Sequence, residues 1–214
     1  MNTAVVLNNL PLFPLGSVLY PGSVLPLRIF EVRYLDMIRR CIENGAPFGI
    51  VSLKQGHEVA LPGQSEAFAQ VGTLATITHH ESPQPGLRVI RCLGQQRFRT
   101  SRTERLKHGL WVADVSYLPE DSVVAVPHEL ISCRSLLESV LARMPATTQA
   151  DLFPGVADDA KLSDCSWLAN RWCQLLPIPL EMKQRLLELD SPLIRLELVS
   201  DLLDKLGLSS QSAD

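Results

Sequence analysis

Four prolines in a short apolar stretch constrain this chain more than any other feature. Pro11, Pro14, Pro21 and Pro26 punctuate the run from Leu10 to Phe30. Each lacks a backbone donor and pushes the residue before it toward extended geometry. That spacing predicts edge strands, or strands interrupted by turns, rather than a central strand. Pro21-Gly22 is a turn signal. From Ser23 to Phe30, Leu25, Leu27 and Ile29 alternate with Val24, Pro26 and Arg28, as in a strand with one buried face. The period then changes. Tyr34, Leu35, Ile38, Cys41 and Ile42 recur at three and four, with Arg33, Arg39, Arg40 and Glu43 on the other side. This predicts one helix, ended by Asn44-Gly45, with a strand resuming at Phe48.

The chain has 214 residues, 46% of them hydrophobic, enough for one sizeable core or two small ones. A net charge of −3 points to neither nucleic acid nor a membrane surface. No apolar run approaches the length of a spanning helix, and no basic segment opens the chain as in a secretory signal. The five cysteines are odd in number and lack CxxC spacing, so free buried thiols in a cytoplasmic protein are expected.

Further along, Lys54 to Gln70 reads as a polar loop. Strands are predicted around Val71–His79, Leu87–Leu93, Gln96–Arg102 and Leu110–Leu118, with a turn at Glu81–Gly86 and a break at Gly94. One helix among short strands predicts a small closed or half-closed barrel with that helix packed on it. After Pro119-Glu120-Asp121 the period becomes helical. Pro127 suits a first helical position, Ser163 an N-cap, and Ser191-Pro192 an N-cap and first position of a last helix stopped by Gly207. The expected architecture is α+β, with a β-rich part over 1–120 and a helical bundle over 121–214.

The opening stretch resembles the Lon amino-terminal, substrate-binding domain, found in Lon proteases, in cereblon-type proteins and as a stand-alone bacterial form. The residues that carry the resemblance are Leu10-Pro11-Leu12-Phe13-Pro14, Tyr20-Pro21-Gly22, Leu25-Pro26-Leu27, and Ile29-Phe30-Glu31 followed by Arg33-Tyr34. It continues at Val71-Gly72-Thr73, at Gly94 with Arg97-Phe98-Arg99, and at Lys183–Glu188 with Arg195-Leu196-Glu197. Many relatives carry proline where Val32 stands; valine still permits a first helical turn. The resemblance implies a PUA-like β-barrel and polypeptide recognition without proteolysis. Neither a GxxxxGK[ST] phosphate loop nor a Ser-x-x-Lys motif occurs in the sequence.

No catalytic residue, cofactor or metal site is assigned. His79-His80-Glu81 reads as a strand end, because neighbouring side chains on a strand point to opposite faces. Two surfaces are candidates for binding. The first is apolar: Phe13, Leu15, Leu19, Tyr20 and Leu27 would take unfolded or degron-bearing segments, most of them buried and those near Tyr20 partly exposed. The second is basic. Seven of the 20 basic residues fall between Arg88 and Lys107, with Glu104 the only acid among them. Arg97, Arg99 and Arg102 would form an RNA patch there, the lesser alternative, with a solvated strand face as the ordinary account. Surplus leucines in the carboxy-terminal half suit a homodimer face, and a protease or another protein is the further expected partner.

Overall fold

The structure is a computed structural model that describes residues 6–56, 66–154 and 158–208. Most of the predicted Lys54–Gln70 loop, including His57, lies outside the described residues. The chain forms β1 (Val6–Leu15), β2 (Val24–Ile29), α1 (Val32–Asn44), β3 (Phe48–Gln55), β4 (Ala67–Gln84), β5 (Leu87–Arg105) and β6 (Trp111–Tyr117). A 3₁₀ turn at His128–Leu130 then leads into α2 (Ile131–Ala142), α3 (Ala146–Leu152), α4 (Asp159–Leu162), α5 (Cys165–Leu175), α6 (Leu180–Glu188) and α7 (Pro192–Lys205). Two compact units result. One runs through Glu120 and takes in Pro179–Leu187; the other comprises Asp121–Ile178 and the residues from Glu188 onward. Helix α6 thus groups with the strands and not with the helices that flank it in sequence.

The six strands make a mixed sheet in the order β2-β5-β4-β3-β1-β6. Strand β5 also pairs with β6, so the ladder returns on itself and β2 is left outside the ring. Strand β1 runs parallel to β3 and antiparallel to β6. It is therefore interior, despite Pro11 and Pro14. The registers explain how. Pairing with β3 begins at Leu12, after Pro11, and pairing with β6 ends at Leu12, before Pro14. Three residues apart, the two proline nitrogens point to opposite sides, and each has a side on which its ladder is absent. Strand β5 likewise passes through Gly94 without breaking.

Three glycines admit close approaches that a Cβ would block. At Gly49 and Gly72 a Cβ would stand 2.7 Å from the ring of Phe98, which is fully buried between them. At Gly94 it would stand 2.3 Å from the backbone oxygen of Tyr20. There the turn Tyr20-Pro21-Gly22-Ser23, closed by a 3.0 Å bond from the Ser23 amide to the Tyr20 carbonyl, crosses β5. Gly22 donates to the Gly94 carbonyl, and the Gly94 amide donates to Ser23, both at 2.8 Å.

Helix α1 buries Tyr34, Met37, Ile38 and Cys41 and stops at Gly45, whose φ of 60° is the left-handed stop expected there. Arg33, assigned to the solvent face by period, is buried instead. It reaches Glu31 at 3.1 Å, Glu66 at 3.4 Å and the Gly109 carbonyl at 2.8 Å, and lies over the Tyr34 ring. Helix α6 is fastened by Gln184, which accepts from Ser52 Oγ at 2.7 Å and donates to the Val71 carbonyl at 3.0 Å.

In the second unit Asp164, one residue past the expected Ser163, caps α5 by accepting from the Trp167 amide. Ser191 caps α7 with Pro192 in its first turn, as the sequence predicts. Arg195 is 1% exposed. Its guanidinium binds Asp121, Asn170 Oδ1 and the Leu189 carbonyl, tying the start of this unit to α5 and α7. Burial lowers the fully enclosed Arg171 to about 10.

Two outcomes follow. Gly94→Ala should cost about 1–3 kcal/mol in denaturant unfolding, because backbone rather than a side chain must move. The five cysteines are free and buried. Burial raises Cys41 from 9.0 to about 11 and Cys92 to about 12. The unfolded chain ionises these thiols first, so stability is unaffected by them below about pH 9 and falls above it. The slope is about 1.4 kcal/mol per pH unit per thiol. Melting of the wild type against Cys92→Ala from neutral to alkaline pH measures it.

Candidate binding groove

Among the described residues strand β2 pairs with β5 alone, and no strand lies along its other edge. Its ladder runs without a bulge from Val24 to Ile29. Pro26 has no N–H to give, so its pair with Arg91 is a non-hydrogen-bonded one. Arg28 shares that parity, and its N–H and C=O therefore face away from β5.

Beside this edge is a cavity of about 260 Å³. Phe13 and Leu15 from β1, Leu27 and Ile29 from β2, and Tyr34 from α1 supply its apolar surface, and Phe30 stands at its mouth. The rings of Phe13 and Tyr34 stack with centroids 4.0 Å apart. Phe13 is 6% exposed, whereas Phe30 is 58% exposed. Burial, more than any other influence, holds the Tyr34 hydroxyl protonated well above the ordinary tyrosine range. The ion pairs of Arg33 sit one residue from this wall and fix the first turn of α1. Trp111 reaches the same cluster, donating to Glu66 at 2.5 Å.

The sequence-derived apolar set separates here. Phe13, Leu15 and Leu27 line the cavity; Leu19 and Tyr20 do not. Tyr20 is 0% exposed, which corrects the expected partial exposure. Its hydroxyl donates to the Lys183 carbonyl of α6 at 2.7 Å, and a tyrosine held so has no face for a ligand. Phe30 was missed as a site residue, although it follows the alternating run and precedes the helix, a junction where neither period buries it.

The arginine set does not assemble into a patch. Arg97 and Arg99 flank the inward-facing Phe98, but α6 covers Arg97, which is 3% exposed and donates to the Leu187 carbonyl at 2.8 Å. It meets the carboxyl end of that helix, where a cation is favourable. Arg99 and Arg102 are exposed, and Arg102 pairs with Glu104 at 2.8 Å. His79 and His80 are exposed on β4. Among the described residues, no three His, Cys, Asp or Glu are placed to hold a metal ion, and no helix is long and apolar enough to cross a membrane.

A mixed six-stranded sheet with this order of helices is the fold of the domains at the amino terminus of Lon proteases. The chain belongs to the family of the ATP-dependent protease La (LON) substrate-binding domain, whose family model matches residues 9–205. A Lon N-terminal domain protein from Xanthomonas campestris is 32% identical, with a TM-score of 0.70 over 91% of this chain and 98% of that one. The N-terminal domain of a Mycobacterium avium complex Lon protease shares the fold at 18% identity, with a TM-score of 0.62 over 95% and 99% of the two chains. Lon protease of Paraburkholderia phytofirmans is 28% identical over 87% of this chain and 23% of its own length. Protein cereblon of Danio rerio is 30% identical over 52% of this chain and 26% of its own length. The chain thus spans about a quarter of the curated relatives it matches.

Stability should separate floor from mouth. Phe13→Ala removes a stacked, buried ring and should cost about 3–5 kcal/mol. Phe30→Ala should stay within about 0.5 kcal/mol. Guanidinium unfolding of the two variants measures both.

Proposed function

We propose that this chain recognises segments of other polypeptides and performs no chemistry on them. The observation that carries this is the joining of a strand edge, along which no further strand lies among the described residues, to an apolar cavity in one place, at β2. An open edge offers backbone hydrogen bonds to any extended chain, and alternate side chains of that chain fall toward a pocket. Phe13, Leu15, Leu27 and Tyr34 form the floor, and Phe30 closes over the guest. Membership of a substrate-binding family supports the same reading. The returning ladder of β5, β4, β3, β1 and β6 is read as a barrel, and the second unit as a helical bundle beginning at Asp121. Five free thiols suit the cytoplasm. A protease that consumes captured segments is the partner this role implies.

The test is fluorescence anisotropy with apolar, unstructured peptides at low and high salt. Wild-type protein should bind at both, and Phe30→Ala should weaken binding about tenfold with an unchanged melting curve. Binding only to RNA, lost steeply with added salt, would overturn the reading.

A further inference from the structure

The groove carries a charge that no described residue answers. Two charged residues line it, Arg28 and Glu31. Glu31 is held by Arg33 at 3.1 Å. Arg28 is exposed and has no hydrogen-bond or ion-pair partner among the described residues. A neighbouring cavity of about 510 Å³ lies between α1 and the β4–β5 turn, lined by Leu35, Asp36, Arg39, Leu87 and Arg88 among others. There Asp36 and Arg39 pair with each other at 3.5 Å, and Arg88 again has no partner among the described residues. Arg88 pairs in register with Ile29, so the two arginines sit at the same end of the β2–β5 ladder. Two arginines without a partner among the described residues therefore stand at this end of the ladder.

Strand geometry turns that charge into a position. The N–H and C=O of Arg28 face the open edge, so a strand added there forms a hydrogen-bonded pair with Arg28. The residue opposite Arg28 projects its side chain to the same face as Arg28, within reach of the guanidinium. The residues on either side of it project to the other face, the one on which Leu27 and Ile29 line the cavity. We infer that the groove takes an extended polypeptide segment in which an acidic side chain stands between two apolar ones, with the acidic residue opposite Arg28. This rests on the polypeptide-recognition reading above and names the class of segment it takes.

The experiment uses the full chain and three short synthetic peptides. All carry the same apolar residues, and the central position is glutamate, glutamine or lysine. Affinities are measured by anisotropy for the wild type and for Arg28→Glu. The wild type should bind the glutamate peptide about threefold to fivefold more tightly than the lysine peptide, as an exposed ion pair allows. Arg28→Glu should reverse that order, and added salt should shrink both preferences while leaving the glutamine peptide bound. Arg28 is exposed, so the variant keeps the fold, and a melting curve verifies that. Equal binding of all three peptides to both proteins would overturn the acidic preference and leave polypeptide recognition standing. Binding of none would remove the recognition reading, and this inference with it. A dimer that excludes all three peptides and dissociates on Phe30→Ala would make a second copy the occupant and overturn the inference.

Discussion

The contact between the Tyr20 carbonyl and the backbone of Gly94 is the constraint on which the rest of the first unit depends. No side chain fits between them, since a Cβ at Gly94 would lie 2.3 Å from that oxygen. The approach sets the turn through Pro21 and Gly22 flat on β5, bracketed by two backbone hydrogen bonds. Strand β2 then starts one residue later, already in register with Leu93. The same crossing buries the Tyr20 side chain and aims its hydroxyl at α6. One glycine therefore decides where β2 lies, which of its edges stays open, and why the neighbouring tyrosine belongs to the core.

Closure of the sheet works in a similar way. Phe98 occupies the space that Gly49 and Gly72 leave empty, one aromatic set against two bare backbones within a cluster that includes Leu10, Leu12, Leu74 and Val115. Interiors are packed to crystal-like density, and such a fit tolerates few other side chains. The Val71-Gly72-Thr73 and Arg97-Phe98 texts are thus the two sides of one contact. Thr73 adds to it by donating to the Leu19 carbonyl at 2.6 Å, which ties the same stretch to β4.

Much of this was legible in the residues. The change of period at Phe30, the stop at Gly45, the cap at Ser191 and the edge character of β2 all rest on local chemistry, and local chemistry is what a sequence displays. Buried arginines were not legible. Periodicity assigns arginine to solvent, yet Arg33, Arg97 and Arg195 are enclosed. Each has a partner far along the chain, 76, 90 and 74 positions away, at the Gly109 carbonyl, the Leu187 carbonyl and Asp121. Each buried guanidinium needs such a partner, and separation of that order leaves no periodic trace. The same blindness made a basic patch of Arg97, Arg99 and Arg102, when Arg97 is the residue that receives the end of α6. The interior place of β1 was hidden for another reason. Proline forbids a rung on one side only, and which side has a rung depends on where two other strands begin and end.

On the proposed reading, an edge that accepts other chains has to refuse its own. Strand β2 meets this with two residues. Self-pairing centred on Pro26 would lack both central donors, because proline has no N–H. Self-pairing centred on Arg28 would set two guanidinium groups opposite each other, which is unfavourable. A guest with ordinary amides supplies the donors that a second β2 lacks, and a guest with a carboxylate removes the repulsion. Apolar burial against Phe13 and Tyr34 favours many sequences about equally, since it has no direction. Selectivity in the proposed role would therefore come from the polar terms, and the arrangement of Pro26 and Arg28 on one parity of one strand places both where an incoming backbone would meet them first.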